Sequence, residues 1–490
     1  MANLRDLEYW DERIREKVGE LGLDCFPQEF EECDHTQMLG YMAYSGMPSH
    51  YPHWSYGKSY EKLKTMYDYG VSGLPYEMVI NSSPALAYLM RDNTLCLQIL
   101  TMAHVYGHND FFKNNFTFRY TQPERTINRF KIHADRVRGY IEDPSIGQEK
   151  VDGILDAAHA VAANCRRNMA IKTLTHEEQI KLALEDAEPP PDAFDKIHKR
   201  KEYKKPDVDK IPLQPEENIL LFIREYNPFL EEWEKDLLTI VHEREQYFIP
   251  QIETKIMNEG WASLVHYTIL QALHLPADLH TEFLVRHSQV VRPFPKGINP
   301  YHLGIELYND ILLRYGGKPT LEENKEYLAY LQSREEYKEP ADRAEFNSPW
   351  EKLLQVRKAD RDPSFLRQYL TREVMDKLHL IRYEQKDKDT VISHVSNDEG
   401  WKEVKNTLIQ NIGMGQFPVI KIEDADYTKD RTLLMRHYHD GRDLQLEYAE
   451  QTLKHVYQLW RRNVLLETTV NGKRALLAYD DKGFAAKPLK

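Results

Sequence analysis

Two segments carry side chains able to bind a metal ion. Ala103-His104-Val105-Tyr106-Gly107-His108-Asn109-Asp110 and Asn258-Glu259-Gly260-Trp261-Ala262-Ser263-Leu264-Val265-His266 each set ligand-type residues at helical spacing within an apolar run. Residues four apart on a helix stand one turn above each other, with Cβ atoms about 5–6 Å apart, so His104 and His108 would share a face. Glu259 and His266 are two turns apart and would also point the same way. Zinc and comparable divalent transition ions take three or four N, O or S ligands, and hydrolytic sites often join a helical His pair to a distant carboxylate. The competing reading is a hydrogen-bonded pair inside the core. With 20 histidines in 490 residues, chance alone supplies roughly one pair at this spacing. The run from Leu95 to Ala103 is apolar on nearly every side, the mark of a buried helix, and a buried imidazole without a partner costs about 1–3 kcal/mol.

The elements that would position these residues follow from periodicity and punctuation. Leu7, Trp10, Ile14, Val18 and Leu21 predict an opening helix. The stretch 41–58, dense in Tyr, His, Gly and Pro, reads as an irregular loop that packs against the fold or faces a ligand. Leu74 to Asn81 reads as a strand with Glu77 in an apolar setting, and Ser82-Ser83-Pro84 as the start of the next helix. Further helices are expected at Ile127–Ile141, at Val151–Ala163 with His159 among alanines, at Phe229–Phe248, and at Glu259–Leu273. Between Leu174 and Gln214 the pattern fails; Pro189-Pro190-Pro191 and the basic run Lys199 to Lys205 suggest an exposed linker.

After about Lys377 the character changes. Strands are expected at 391–395, 417–422 and 432–437, helices at 401–411 and 444–460, and a hairpin around Asn471-Gly472, a type I′ turn signal. That order suggests a ferredoxin-like βαββαβ module. The fold class is therefore mainly α with an α+β C-terminal module. Four segments are expected: 1–173, helical with the aromatic-rich loop and the His104/His108 helix; 174–214, a linker; 215–377, helical and packed on the first; and 378–490, the module.

A net charge of −13 disfavours nucleic acid or an anionic membrane as the main partner. The N-terminus lacks a signal-peptide h-region, and no run reaches the roughly 18–20 apolar residues of a membrane span, so a cytoplasmic location is expected. Four cysteines without C-x-x-C spacing point to reduced thiols.

Five blocks, in order, carry a family resemblance: Tyr44-Ser45-Gly46-Met47-Pro48 with His53-Trp54; Tyr76 to Asn81; His104 to Phe112; Met257 to Ala262; and Ile298-Asn299-Pro300-Tyr301. Together they resemble the stage V sporulation protein R (SpoVR) family, nearly end to end. The resemblance implies a cytoplasmic bacterial protein linked to formation of the spore cortex, a peptidoglycan layer, or to stress physiology in bacteria that do not sporulate. It also implies two partners, a PrkA-type serine kinase and a protein similar to von Willebrand A domains.

The same blocks resemble, more distantly, gluzincin metallopeptidases, where a helical H-E-x-x-H and a later Asn-Glu helix supply the ligands. His104, His108 and Glu259 would take those places. Position 105 is Val, where those enzymes carry the general base. Losing such a base typically costs 10²–10⁴-fold, so Glu77, or less well Glu142, would have to serve. His266 and His159 could enlarge the site to two ions, and Asp110 could orient a ligand histidine. His242, His287 and His302 read as structural or surface residues.

Two function classes follow. One is a metal-dependent amide hydrolase acting on peptidoglycan-derived material, favoured by the aromatic loop and Glu77. The other is a non-catalytic scaffold or regulator working with the kinase and the von Willebrand A-like partner, favoured by Val105. An iron oxidase is a weaker third option, because no duplicated Glu-x-x-His motif supports it.

Overall fold

The apolar stripe of Leu7, Trp10, Ile14 and Val18 folds as helix α1 (Leu4–Glu20) and is buried along that face. The structure is a computed structural model that describes residues 4–69, 77–167, 174–187, 207–294, 297–318, 322–334, 339–386, 389–395 and 400–489. After α1 come β1 (Gln28–Cys33), α2 (His35–Ala43), α3 (Trp54–Asp68), β2 (Glu77–Ile80), β3 (Ala85–Met90), α4 (Leu95–Asn114), α5 (Thr126–Glu142), α6 (Gln148–Val161), α7 (His176–Ala187) and α8 (Ile219–Tyr226). The chain continues through α9 (Glu232–Glu253), α10 (Lys255–Ala272), α11 (Ala277–Val290), α12 (Pro300–Arg314), α13 (Glu322–Ser333), α14 (Pro349–Ala359), α15 (Asp362–Tyr369) and α16 (Arg372–Lys377). It ends with β4 (Ile381–Lys386), β5 (Asp389–Val395), α17 (Trp401–Gln410), β6 (Ile420–Asp424), β7 (Leu433–His437), α18 (Leu446–Trp460), β8 (Val464–Val470), β9 (Lys473–Asp480) and β10 (Gly483–Pro488). The fold is mainly α with an α+β C-terminus, as the sequence predicts.

The chain divides into two compact units, Met1–Asp135 with Phe248–Gln416, and Arg136–Tyr247 with Phe417–Lys490. These boundaries fall at different points from the four chain-order segments read from the sequence. Pro189–Pro191 and the basic run Lys199–Lys205 lie outside the described residues, while His176–Ala187, inside the expected linker, is the helix α7.

In the first unit α4 and α10 pack side by side, with α12 against the far side of α10. Their apolar side chains, among them Leu100, Ala103, Trp261, Val265, Leu307 and Tyr308, form one buried core with those of α1, α14 and α15. A three-stranded sheet flanks it in the order β1-β3-β2. Here Ser82-Ser83-Pro84 opens a strand rather than a helix. Ala85–Met90 pairs in parallel with Gln28–Cys33 and antiparallel with Glu77–Ile80, and its side chains from Ala85 to Leu89 are all buried. Pairing on both edges outweighs the local capping signal. The stretch 41–58 is likewise less irregular than expected, since α2 ends at Ala43 and α3 begins at Trp54, with His53 as its N-cap.

The second unit holds the five-stranded sheet, in the order β10-β9-β8-β7-β6. β7 and β8 are parallel and α18 connects them; the other neighbours are antiparallel. This is not the ferredoxin-like interleaving of two βαβ halves. The expected first half lies elsewhere: β5 pairs with β4 in a separate hairpin, and α17 buries Val404 in the helical core of the first unit, with Trp401, Leu408 and Ile409 packed against it. The hairpin turn is as expected, with Asn471 and Gly472 both at positive φ, 50° and 71°.

Candidate metal centre

The apolar run that buries α4 buries two imidazoles with it. Thr94 caps the helix by accepting the Leu97 N–H, and His104 and His108 follow one turn apart, 0% and 4% exposed. α10 carries Glu259 to the same point, and Glu77, at the start of β2, arrives from the sheet. His104 Nε2 lies 3.1 Å from Glu77 Oε1 and 3.8 Å from Glu259 Oε2; His108 Nε2 lies 3.6 Å and 3.4 Å from the same two oxygens. One donor atom from each of the four residues falls within 4.8 Å of the others. Four ligands at about 2.0–2.1 Å from a tetrahedral zinc ion stand roughly 3.3–3.4 Å from one another. The observed separations scatter around that edge length.

The electrostatics fit a cation. Burial alone would raise both carboxyls, but the neighbouring His104 and His108 outweigh it and hold Glu77 and Glu259 below the ordinary carboxylate range. Burial would lower His108, yet its hydrogen bonds with Glu259 and Glu77 push it up to about 10. Glu77 Oε2 is buried with no hydrogen bond, a state that costs about 1–3 kcal/mol. A divalent ion would neutralise the two carboxylates and give that oxygen a partner.

A second layer orients the rings. Asn258 Oδ1 lies 2.8 Å from His108 Nδ1; an amide oxygen only accepts, so Nδ1 carries a hydrogen, and an ion that displaced the second proton would find the lone pair on Nε2. His104 Nδ1 is bonded at 2.7 Å to His266 Nδ1, and His266 Nε2 at 2.8 Å to His287 Nδ1. Burial, with the charge of His104 next, drives His266 well below its usual value and His287 down to about 4, so both rings stay neutral.

Beside the group opens a cleft of about 570 Å³. Met42, Met78, Val79, Phe112, Val290 and Phe294 give it an apolar wall, and Glu77, His108 and Glu259 line it as well.

The family model for SpoVR like proteins matches residues 2–417, and that for the SpoVR-like C-terminal domain matches 418–471. The chain belongs to the SpoVR family. A relative from Escherichia coli (strain K12), described as Uncharacterized protein YcgB, is 34% identical over 473 residues, 91% of this chain and 88% of the relative. No solved structure matches this SpoVR chain.

Among the described residues of this SpoVR chain, the ligand-type group consists of Glu77, His104, His108 and Glu259. Glu77, expected as a base, stands in one group with His104, His108 and Glu259. His266 stands one hydrogen bond behind His104. His159 and Glu142 sit on α6 and α5 in the second unit and are not members of the group. Asp110 does not orient a histidine. It accepts from the Trp261 indole at 2.9 Å, the Asp24 backbone N–H at 2.8 Å and Arg357 at 3.2 Å, so it ties α4 to α10 and α14. Two residues beyond His108, it faces nearly the opposite side of the helix. Sequence reasoning assigned no role to Asn258 and read His287 as structural. Asn258 had a signal, adjacency to Glu259; His287 had none, because its helix is brought to His266 only by packing.

No helix among the described residues is long and apolar enough to cross a membrane.

Proposed function

We propose that this SpoVR-family protein is a metal-dependent hydrolase of amide bonds, acting on a peptide of the peptidoglycan layer. One observation carries the reading: two imidazoles and two carboxylates converge at ligand spacing beside a cleft with an apolar wall. His104, His108 and Glu259 would hold zinc or another divalent transition ion. Such an ion supplies Lewis acidity, polarising a substrate carbonyl and acidifying water. Glu77, ionised and next to both imidazoles, takes the proton from the attacking water in place of the base that Val105 cannot provide. The apolar wall holds the substrate and excludes bulk water.

The experiment is elemental analysis of the purified wild type, His104→Ala and Glu259→Ala, followed by muropeptide digestion with wild type and Glu77→Gln. The reading expects about one equivalent of ion, its loss in the first two variants, and a Glu77→Gln protein that keeps the ion but not turnover.

One distance supports a second reading. Glu77 Oε1, at 3.1 Å and 3.6 Å from the two imidazoles, stands where a fourth ligand would. A site closed by four protein ligands is structural, and the protein would then be a scaffold acting with a PrkA-type serine kinase and a von Willebrand A-like partner. Loss of the ion from Glu77→Gln, with no turnover by the wild type, selects this reading.

A further inference from the structure

The tyrosines of the aromatic-rich stretch 41–58 are not in the wall of the cleft beside the four-residue group. Met42, Ser45 and Gly46 reach that cleft, whereas Tyr44 and Tyr56 line a separate cavity of about 370 Å³ together with Tyr60 and Glu61. This second cavity lies within the first unit, where α2 packs against α3.

Two glycines make the room. Gly40 of α2 and Gly57 of α3 line the cavity, and a β-carbon on either would meet no other atom within 4 Å. Neither has a positive φ or a close neighbour that would call for glycine, and a glycine inside a helix costs about 0.5–1 kcal/mol relative to alanine. What the two positions yield in return is open space between the rings.

Those rings are set before any ligand arrives. Tyr44 and Tyr56 stand with centroids 5.6 Å apart and planes at 72°, like two walls of a corner. His50, buried beneath them, stacks on Tyr44 at 5.9 Å and 18°, and its Nε2 lies 3.2 Å from the Tyr56 hydroxyl. Rings fixed in this way lose little freedom when a ligand binds.

The face of a phenol ring is the negative pole of its quadrupole and attracts a cation. Glu61 adds a formal negative charge, and no lysine or arginine is among the described residues of the lining. Anions are therefore repelled. A methylated ammonium has no N–H groups that must find acceptors, so it leaves water for such a cavity at less cost than a primary ammonium. The volume falls in the range of small-molecule sites, about 300–1,000 Å³. We propose that this cavity binds a small organic molecule carrying a methylated ammonium group, with Tyr44, Tyr56 and Tyr60 holding the cation against their rings and Glu61 supplying the countercharge. The inference is independent of the metal reading.

The test titrates choline into the full chain without added metal, read by calorimetry and by the ring resonances of labelled tyrosine. The control is 3,3-dimethylbutan-1-ol, its uncharged carbon isostere. Choline is expected to shift the resonances of Tyr44, Tyr56 and Tyr60, and the isostere to bind roughly tenfold or more weakly. Gly57→Leu, which fills the cavity from an ordinary helical position, is expected to abolish binding and to melt no lower than the wild type. Tyr60→Phe keeps the ring and should stay within about twofold of the wild-type affinity, while Tyr60→Leu should lose roughly three- to tenfold. Absence of choline binding, equal binding of the isostere, or a Gly57→Leu protein that binds choline like the wild type overturns the inference. Should Gly57→Leu fail to fold, the Tyr60 pair decides, and equal affinities of Tyr60→Phe and Tyr60→Leu overturn it.

Discussion

A β-carbon on Gly107 would stand 2.7 Å from the Cα of Ala262. α4 and α10 touch backbone to backbone at this point, and it lies between His104 and His108 on one helix and between Glu259 and His266 on the other. Gly260 meets Gly304 of α12 in the same way, with equally little room for a side chain. The first contact brings together the helices that carry the two imidazoles and Glu259; the second seats α12 against α10.

Gly107→Ala is therefore expected to push α4 and α10 apart. Overpacking of this kind costs about 1–3 kcal/mol, and backbone is less able to yield than a side chain end. Thermal melting of the metal-free protein measures the cost; a variant as stable as the wild type would contradict the close approach.

Removing one ligand should empty the site. His104→Ala and Glu259→Ala are expected to fall from about one equivalent of ion to none, read by elemental analysis after dialysis. Retention of a full equivalent in either would exclude that residue as a ligand.

Glu77→Gln separates base from ligand. As a base, its loss is expected to lower turnover by roughly 10²–10⁴-fold with the ion retained. As a ligand, its loss removes the ion.

Asn258 holds the hydrogen of His108 on Nδ1. Asn258→Leu keeps the size and removes the acceptor, so ion affinity is expected to drop roughly 10–100-fold. Titration against a chelator gives the number, and unchanged affinity would mean that the His108 tautomer is set by something else.

The pH dependence of the metal-free protein has a definite sign. Glu77 and Glu259 titrate lower in the folded state than their ordinary 4.5, so their contribution is present above that pH and fades as pH falls below it. His108 titrates higher, at about 10 against 6.5. Its contribution is complete below 6.5 and is lost as pH rises toward 10. These three groups together favour a melting maximum between about pH 4.5 and 6.5. An ion requires His108 without its proton, so the stabilisation added by zinc should grow with pH over the range in which the metal-free protein weakens. Parallel melting curves with and without zinc would refute the coupling.

The sequence by itself determined what is local. Helical spacing put His104 with His108 and Glu259 with His266 on common faces, because side-chain direction follows directly from the 3.6-residue repeat. It also showed that no carboxylate sits beside His104 at Val105, and that Asn471-Gly472 closes a hairpin. Only the tertiary structure decided what depends on contacts between distant segments. It brought Glu77 of β2 into the same group as Glu259 of α10, turned Asp110 to Trp261 and Arg357, and set His287 behind His266. It made Ala85–Met90 a strand through two neighbours that local capping signals cannot register, and it placed α17 in the helical core instead of the C-terminal sheet. Side-chain faces are fixed by the backbone of one element, whereas convergence of elements is fixed by which apolar surfaces they bury against one another, and that information is spread over the whole chain.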